Sequence, residues 1–373
     1  MSAMRQVSTA GAVSCLALLC GCPTPSRVHE RARGALAPEA TVSVDARTTS
    51  DVPMGVPPEA AEPEASLGVG EASVPDDPMA LHHSAAEELL SLVWVPSTEA
   101  GAAGARSTLT WLIGPVPGRF SHGNPTIARH AIGHRACLEG LEGVVLQTEE
   151  QRQACRGLEN MVPVYGNGIP ASAKTCIDIF EFPNRACELP MVWGTPSGAE
   201  KICEVQGKRL CTQSEWNLAC KADPEGKVES TYAYGEALDL TICNSNKPHA
   251  MGPDGQWLCN PRSAQVAWDT CATETEPSGA YPRCRSRLGV FDQHGNVAEM
   301  MTRKGTDGIV YTQLKGSAFF YVDVARRPDE AQKPGARETY PDQCSYDPRW
   351  HVEPLDGALH SNYHLGFRCC LSL

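Results

Sequence analysis

Cysteine constrains this chain more than any other residue. There are 17 in 373 residues; Cys15, Cys20 and Cys22 fall at the start, and the other fourteen all lie from Cys137 onward. An even set of scattered cysteines behind an export-type N-terminus reads as a disulfide framework, because an oxidising compartment lets bridges form and persist. Up to seven bridges follow. A thiolate zinc site would show CxxC knuckles, whose spacing lets two sulfurs reach one tetrahedral ion, and the chain has none.

The N-terminus reads as an address. Arg5 precedes the apolar stretch Val13 to Leu19, which is too short to span a bilayer and is expected to be a cleaved signal peptide over residues 1–21. Leu19-Cys20-Gly21-Cys22 resembles the bacterial lipobox, which implies acylation of Cys22 and a membrane partner reached through that lipid anchor. Pro23 follows Cys22, with no aspartate there to resemble an inner-membrane retention signal, so the expected location is the outer membrane of the cell envelope. From residue 22 to about residue 80 the chain is rich in Ala, Pro, Glu, Val and Ser and has no aromatic residue. Such a segment cannot offset the entropy of ordering it, so it is expected to be an acidic, extended tether. A formal charge of -12 and a pI near 5.4 leave no basic footprint for nucleic acid.

Residues 81–157 form an intermediate segment whose fold the sequence leaves open. Glu87 to Trp94 begins like an amphipathic helix and then runs into Gly and Ala. Cys137 and Cys155 bracket a short local segment that a bridge between them would close, although sequence alone does not fix the connectivity. His130 and His134 are spaced to share a helix face, but Gly133 weakens the helix and no glutamate sits between them, which disfavours a metal site.

From Cys176 the pattern tightens. Cys176 to Asn184 alternates apolar and acidic residues, as a half-buried strand does, and Pro183-Asn184 stops it. Thr212 and Glu215 in Gly207-Lys208-Arg209-Leu210-Cys211-Thr212-Gln213-Ser214-Glu215-Trp216 form a capping box. The helix it starts would bury Trp216, Ala219 and Cys220 on one face. Lys208 and Arg209 just before the cap read as structural ion-pair residues. Further on come Gly289-Val290-Phe291-Asp292-Gln293-His294-Gly295-Asn296-Val297-Ala298-Glu299, then Gly316-Ser317, then Gly366-Phe367-Arg368-Cys369.

In this order, over roughly residues 158–373, these motifs resemble the formylglycine-generating enzyme family, also called the sulfatase-modifying-factor domain. The resemblance implies an α+β domain that is irregular, loop-rich and disulfide-rich, a variant of the C-type lectin fold. It implies that Cys203 pairs with Cys369 and Cys220 with Cys344; Cys211 and Cys370, which adjoin these positions, are expected to pair with each other. It also implies a structural calcium ion held by the side chains of Asp292 and Glu299 and the carbonyls of Gly295 and Val297, oxygen donors of the kind a hard cation selects. A second family calcium site falls near Asn244, where the surrounding residues diverge.

The resemblance breaks at the chemistry. The family's oxidase places two cysteines after the Gly-Ser turn, since soft thiolates hold Cu(I). Here Gly316-Ser317 is followed by Ala318, Phe319, Phe320, Tyr321 and Val322, and no cysteine appears before Cys344. Copper is therefore not expected, and neither is any catalytic residue of that oxidase. By analogy with the groove in which the family's enzyme holds its substrate, the resemblance then implies a binding module for a peptide or glycan, with Ser317, Phe320 and His364 marking the candidate groove. The alternative is a metal-dependent oxidase with relocated ligands, for which His351, His360 and His364 are the available cluster.

Overall fold

A computed structural model describes residues 99–247, 259–260, 262–320, 343–348 and 351–373. Cys22, the signal-peptide and tether readings, the run 87–94, Tyr321 and Val322 lie outside the described residues.

The first element is α1 (Glu99–Leu112), which runs through the Gly- and Ala-rich stretch where the sequence reading saw a helix dissolve. Each glycine costs a helix roughly 1 kcal/mol relative to alanine. Burial offsets that cost, because Leu109 and Leu112 enter one core with Phe120, Ala199 and Ile202. Short helices α2 (His134–Gly140) and α3 (Glu149–Ala154) follow, then β1 (Met161–Pro163) and β2 (Thr175–Asp178). Next come α4 (Pro196–Val205), β3 (Arg209–Leu210), α5 (Gln213–Lys221) and α6 (Ala264–Thr270). Strands β4 (Ala298–Lys304), β5 (Val310–Lys315), β6 (Leu365–Gly366) and β7 (Cys369–Ser372) complete the order.

These strands make two small sheets. One is antiparallel, ordered β1-β2-β7-β3, with Ile177 opposite Cys370 and Leu210 opposite Cys369. The other is β5-β4-β6, in which β4 runs antiparallel to β5 and parallel to β6, pairing Glu299 with Lys315 and with Gly366. Long loops connect the rest, so the domain is mixed, irregular and loop-rich.

Among the described residues, seven disulfides staple those loops. Cys203 is joined to Cys369, Cys211 to Cys370 and Cys220 to Cys344. The others are Cys243–Cys284, Cys259–Cys271, Cys137–Cys187 and Cys155–Cys176. The local bridge between Cys137 and Cys155 is therefore not made. Each of the two instead ties the segment before β1 to the strand-and-loop region around β2, so residues 134–155 are fastened to the same body.

Strand β2 also departs from its expected half-exposed character. All of residues 175–184 are buried, because β2 is an inner strand flanked by β1 and β7. Its acids do not face water. Asp178, 1% exposed, pairs with the largely buried Lys208 at 2.7 Å and accepts the Cys369 amide at 3.0 Å.

Helix α5 carries the capping box: Thr212 Oγ1 accepts from the Glu215 amide, and the Glu215 carboxylate accepts from the Thr212 amide at 2.8 Å. The same carboxylate accepts two hydrogen bonds from Arg209, at 2.6 and 2.8 Å, and one from Thr175 at 2.6 Å. Burial alone would raise the Glu215 carboxyl, but these donors outweigh it and hold it at about 2, below its ordinary 4.5. A carboxyl depressed on folding stabilises above its unfolded value and loses that contribution as pH falls through the folded one. Glu215→Gln is expected to cost about 2 kcal/mol at pH 7 after allowance for partial exposure, and almost nothing near pH 2. Denaturant unfolding of both proteins between pH 7 and pH 2 checks this; a gap that does not close in acid contradicts it.

Candidate functional site

Three carboxylates and one guanidinium meet in the interior. Glu181 follows β2, Asp292 lies in the loop before β4, Glu299 is on β4 and Arg368 immediately precedes β7; all four are at most 2% exposed. Arg368 grips Glu299 with both edges, Nε to Oε2 at 2.6 Å and Nη2 to Oε1 at 2.7 Å. Its remaining donors reach the carbonyls of Asp178, Ile179 and Phe291. Trp216 Nε1 adds a third donor to Glu299 at 3.0 Å. Glu181 accepts from Ser278 Oγ, Asn296 Nδ2 and the Val297 amide. Asp292 accepts from the Gly279 amide at 2.7 Å.

One cation does not neutralise three carboxylates. Burial pushes Glu181 well above the ordinary carboxylate range, and the neighbouring Asp292 and Glu299 push the same way. Burial likewise raises Asp292 to about 7, against the Gly279 amide and Arg368, which favour its charged form. The uncharged form is therefore favoured for Glu181 and Asp292 beyond the range of an ordinary carboxyl. All four side chains are buried, and their hydrogen bonds tie β2, the loop before β4, β4 and the chain before β7 together.

Of the oxygen donors expected for calcium, Glu299 is occupied by Arg368 and Trp216, whereas Asp292 keeps the chemistry for a hard cation. Gly295 sits at φ +73°, where a Cβ would lie 2.3 Å from the Asn244 carbonyl oxygen, so the loop there needs glycine. The amides of Gly295 and Val297 donate to Ser317 Oγ and Glu181 respectively. Asn244 is 2% exposed and its Oδ1 accepts no hydrogen bond among the described residues.

The predicted groove comes together only in part. Gly316, at φ +69°, turns the chain out of β5, and a Cβ there would meet the Gln293 carbonyl oxygen at 2.7 Å. Ser317 is turned inward: its Oγ accepts the Gly295 amide at 2.9 Å, so it locks two loops and does not line a groove. Phe319 is fully buried in a core with Trp193, Trp268 and Tyr363. Phe320 is half-buried, 5.2 Å edge-on to His364 and 6.1 Å from the ring of Tyr363, with which it stacks. Phe320 and His364 thus share one aromatic face, set by β6 pairing with β4 and by the hydrogen bond from the Ala298 amide to the His364 carbonyl.

His351 and His360 stack at 4.0 Å and line a shallow pocket with Glu353, Gln313 and Met300. Burial, then the neighbouring His360, lowers His351 to about 4, and burial lowers His360. Among the described residues, no three-ligand group contains His351, His360, His364, Asp292 or Glu299. His130 and His134 are also apart in role, bonded to the carbonyls of Thr275 and Cys187.

Sequence reasoning missed Glu181, Asn296 and Arg368 as members of the buried network. Arg368 was visible inside Gly-Phe-Arg-Cys, but nothing local indicated that its partner lies 69 residues earlier.

The solved structure titled "Crystal Structure of CarF" is similar over 57% of this chain and 93% of its own, with 11% identity and a TM-score of 0.34. A second, the "Major Tropism Determinant U1 Variant", covers 57% of this chain and 52% of its own, with 9% identity and a TM-score of 0.25. No curated protein matches the chain. The model of the sulfatase-modifying factor enzyme 1-like domain matches residues 168–372, more than half of the chain, and with the motifs and loop-rich α+β fold described above it shows that the chain belongs to this family.

Proposed function

We propose that this chain is a lipid-anchored extracytoplasmic member of the family that does not carry out copper-dependent cysteine oxidation and instead binds a peptide or glycan on the aromatic face around Phe320 and His364. The observation that carries the reading is where the thiols are. All fourteen cysteines from Cys137 onward are bridged, and the place after Gly316-Ser317 is filled by Ala318, which packs in the core with Leu112 and Phe367, and by Phe319 and Phe320, which pack in the core with Trp193 and Tyr363. A Cu(I) site needs a soft pair at that place, and phenylalanine offers no ligand atom. Phe320 is half-buried and lies edge-on to the buried imidazole of His364, and an aromatic ring so placed suits sugar faces and apolar side chains. Anchoring rests on Leu19-Cys20-Gly21-Cys22 and the tether behind it.

Protein purified from bacterial envelopes tests this. Intact-mass analysis should find acyl chains on Cys22, metal analysis should find no stoichiometric copper, and a cysteine-containing peptide should cause no oxygen uptake. Bound copper with turnover would establish the oxidase reading in its place.

The cluster of Glu181, Asp292 and Glu299 around one arginine supports a structural calcium ion, held by Asp292 and the carbonyls of Gly295 and Val297 at the edge of the network. Calcium competes with the proton for Asp292, so calcium at roughly a hundred times its dissociation constant is expected to raise the unfolding free energy by about 2–3 kcal/mol at pH 8 and by less at pH 5, with the thermal midpoint rising accordingly. Thermal unfolding with calcium and with chelator at the two pH values reads this out. Midpoints that calcium and chelator leave the same at each pH would remove the ion from the account.

A further inference from the structure

His294 lies against a disulfide. It sits in the loop before β4, 1% exposed, with Nε2 at 3.4 Å from Cys220 Sγ and 3.9 Å from Cys344 Sγ. Cys220 is near the end of α5. Cys344 is held from two sides: its amide donates to the Thr231 carbonyl, and its carbonyl accepts from the buried Lys315 Nζ at 3.1 Å. Among the described residues, Cys220, His294 and Cys344 are the one group of three metal-competent side chains whose ligand atoms all lie within 4.8 Å of one another.

The imidazole is already in the form a metal takes. The Ala233 amide donates to Nε2 at 2.8 Å, and an amide N–H only donates, so Nε2 carries no proton. The distances also fit. A tetrahedral ion with metal–sulfur bonds of about 2.3 Å and a metal–nitrogen bond of about 2.0 Å holds nitrogen and sulfur about 3.5 Å apart and its two sulfurs about 3.8 Å apart. Both nitrogen–sulfur separations are near that value in the bridged state, and only the sulfur–sulfur separation has to change. Two thiolates would balance a divalent charge, so the filled site is neutral, as a buried site requires.

The geometry points to a latent metal site: once the Cys220–Cys344 bridge is reduced, Cys220, Cys344 and His294 bind one soft-accepting ion of the zinc class. A dithiol donor supplies two electrons and two protons, becoming a disulfide itself while Cys220 and Cys344 become thiols. The zinc ion then displaces both thiol protons to solvent and replaces the Ala233 amide at Nε2, leaving its fourth position to water. Tyr232 and Tyr234 stack at 5.6 Å and both approach the imidazole, at 5.8 and 5.3 Å. His294 and both sulfur-bearing residues are buried, so the fold must open locally for the reductant to enter. This site is separate from the aromatic face proposed for ligand binding and does not depend on it.

Cobalt is the probe, because tetrahedral sulfur-ligated Co2+ is coloured. The full mature chain is titrated with a dithiol, and differential alkylation with mass spectrometry identifies which cysteines have opened. When Cys220 and Cys344 are open, one equivalent of Co2+ should give sulfur-to-cobalt charge-transfer and tetrahedral ligand-field bands. Zinc should bleach those bands, and either ion should protect both cysteines from alkylation. His294→Ala is expected to weaken binding by at least about tenfold. His294→Gln, which can still accept the Ala233 amide, should weaken it as much while keeping the native circular dichroism and bridge pattern. Three outcomes overturn the site: both thiols open with no cobalt bands, binding unchanged in the two variants, or the domain unfolding through its other bridges before Cys220–Cys344 opens.

Discussion

Replacing Arg368 with methionine is expected to lower the unfolding free energy by about 3–5 kcal/mol, the usual cost of removing one partner from a buried ion pair. The size of the effect comes from what is left behind rather than from the attraction lost. Methionine fills much of the same volume, but Glu299 loses both arms of its fork, and the carbonyls of Asp178, Ile179 and Phe291 lose their donor. Glu181 and Asp292, both already raised by burial, lose the one cation that opposes the shift. The variant's carboxyls therefore respond by binding protons more tightly in the folded state. A carboxyl raised on folding stabilises at low pH and loses that contribution as pH climbs through its folded value. The deficit of Arg368→Met should accordingly be larger at pH 8 than at pH 5. Adding Glu299→Gln should recover part of it by removing one buried charge. Denaturant unfolding with the bridges intact, at both pH values, measures all three quantities. A loss below about 1 kcal/mol with no pH dependence would mean that the network is neutral to folding.

The same network shows which parts of the fold are legible in sequence. The capping box was readable because its two partners, Thr212 and Glu215, are three residues apart and the physics that joins them is local. The even cysteine set was readable as a framework because compartment chemistry does not depend on topology. Asp178 and Glu181 were misplaced toward solvent because alternation reports two faces and not which of them finds water. Their burial depends on Lys208, 30 residues away, and on Asn296, 115 residues away. Helix α1 was missed for the complementary reason: its glycines count against it locally, and its compensation lies in a core built with Ile202 and Phe367. At the candidate site, Gly316-Ser317 announced a turn, but only the fold shows that Ser317 is committed to Gly295 and that Phe320 is the residue facing His364. His294 drew no notice in Asp292-Gln293-His294-Gly295, since a lone histidine in a turn carries no signal until two sulfurs are seen beside it.

The two bridges that end at Cys369 and Cys370 should prove coupled, with their joint removal costing about 6 kcal/mol against about 2–3 kcal/mol for either alone. Cys203 and Cys369 are 166 residues apart, and Cys211 and Cys370 are 159 apart, so the two close almost the same circuit. While either remains, the other closes only the short path from Cys203 to Cys211 and back through Cys369-Cys370, roughly 10 residues, for which chain entropy gives about 2–3 kcal/mol. When both are gone, the long circuit opens as well. The Cys220–Cys344 bridge shortens that circuit to roughly 40 residues, worth about 4 kcal/mol on the same scale. The quadruple variant should therefore lose about 1 kcal/mol more than the sum of the two double variants. All four cysteines are fully buried, so alanine at each adds a small cavity cost that is common to both routes and cancels in the difference. Guanidinium unfolding of the parent, Cys203→Ala with Cys369→Ala, Cys211→Ala with Cys370→Ala, and all four together completes the cycle. If the quadruple variant is no less stable than either pair alone, one of the two bridges contributes nothing to holding β7 against α4 and β3, and the terminal strand is held by its hydrogen bonds and by Arg368.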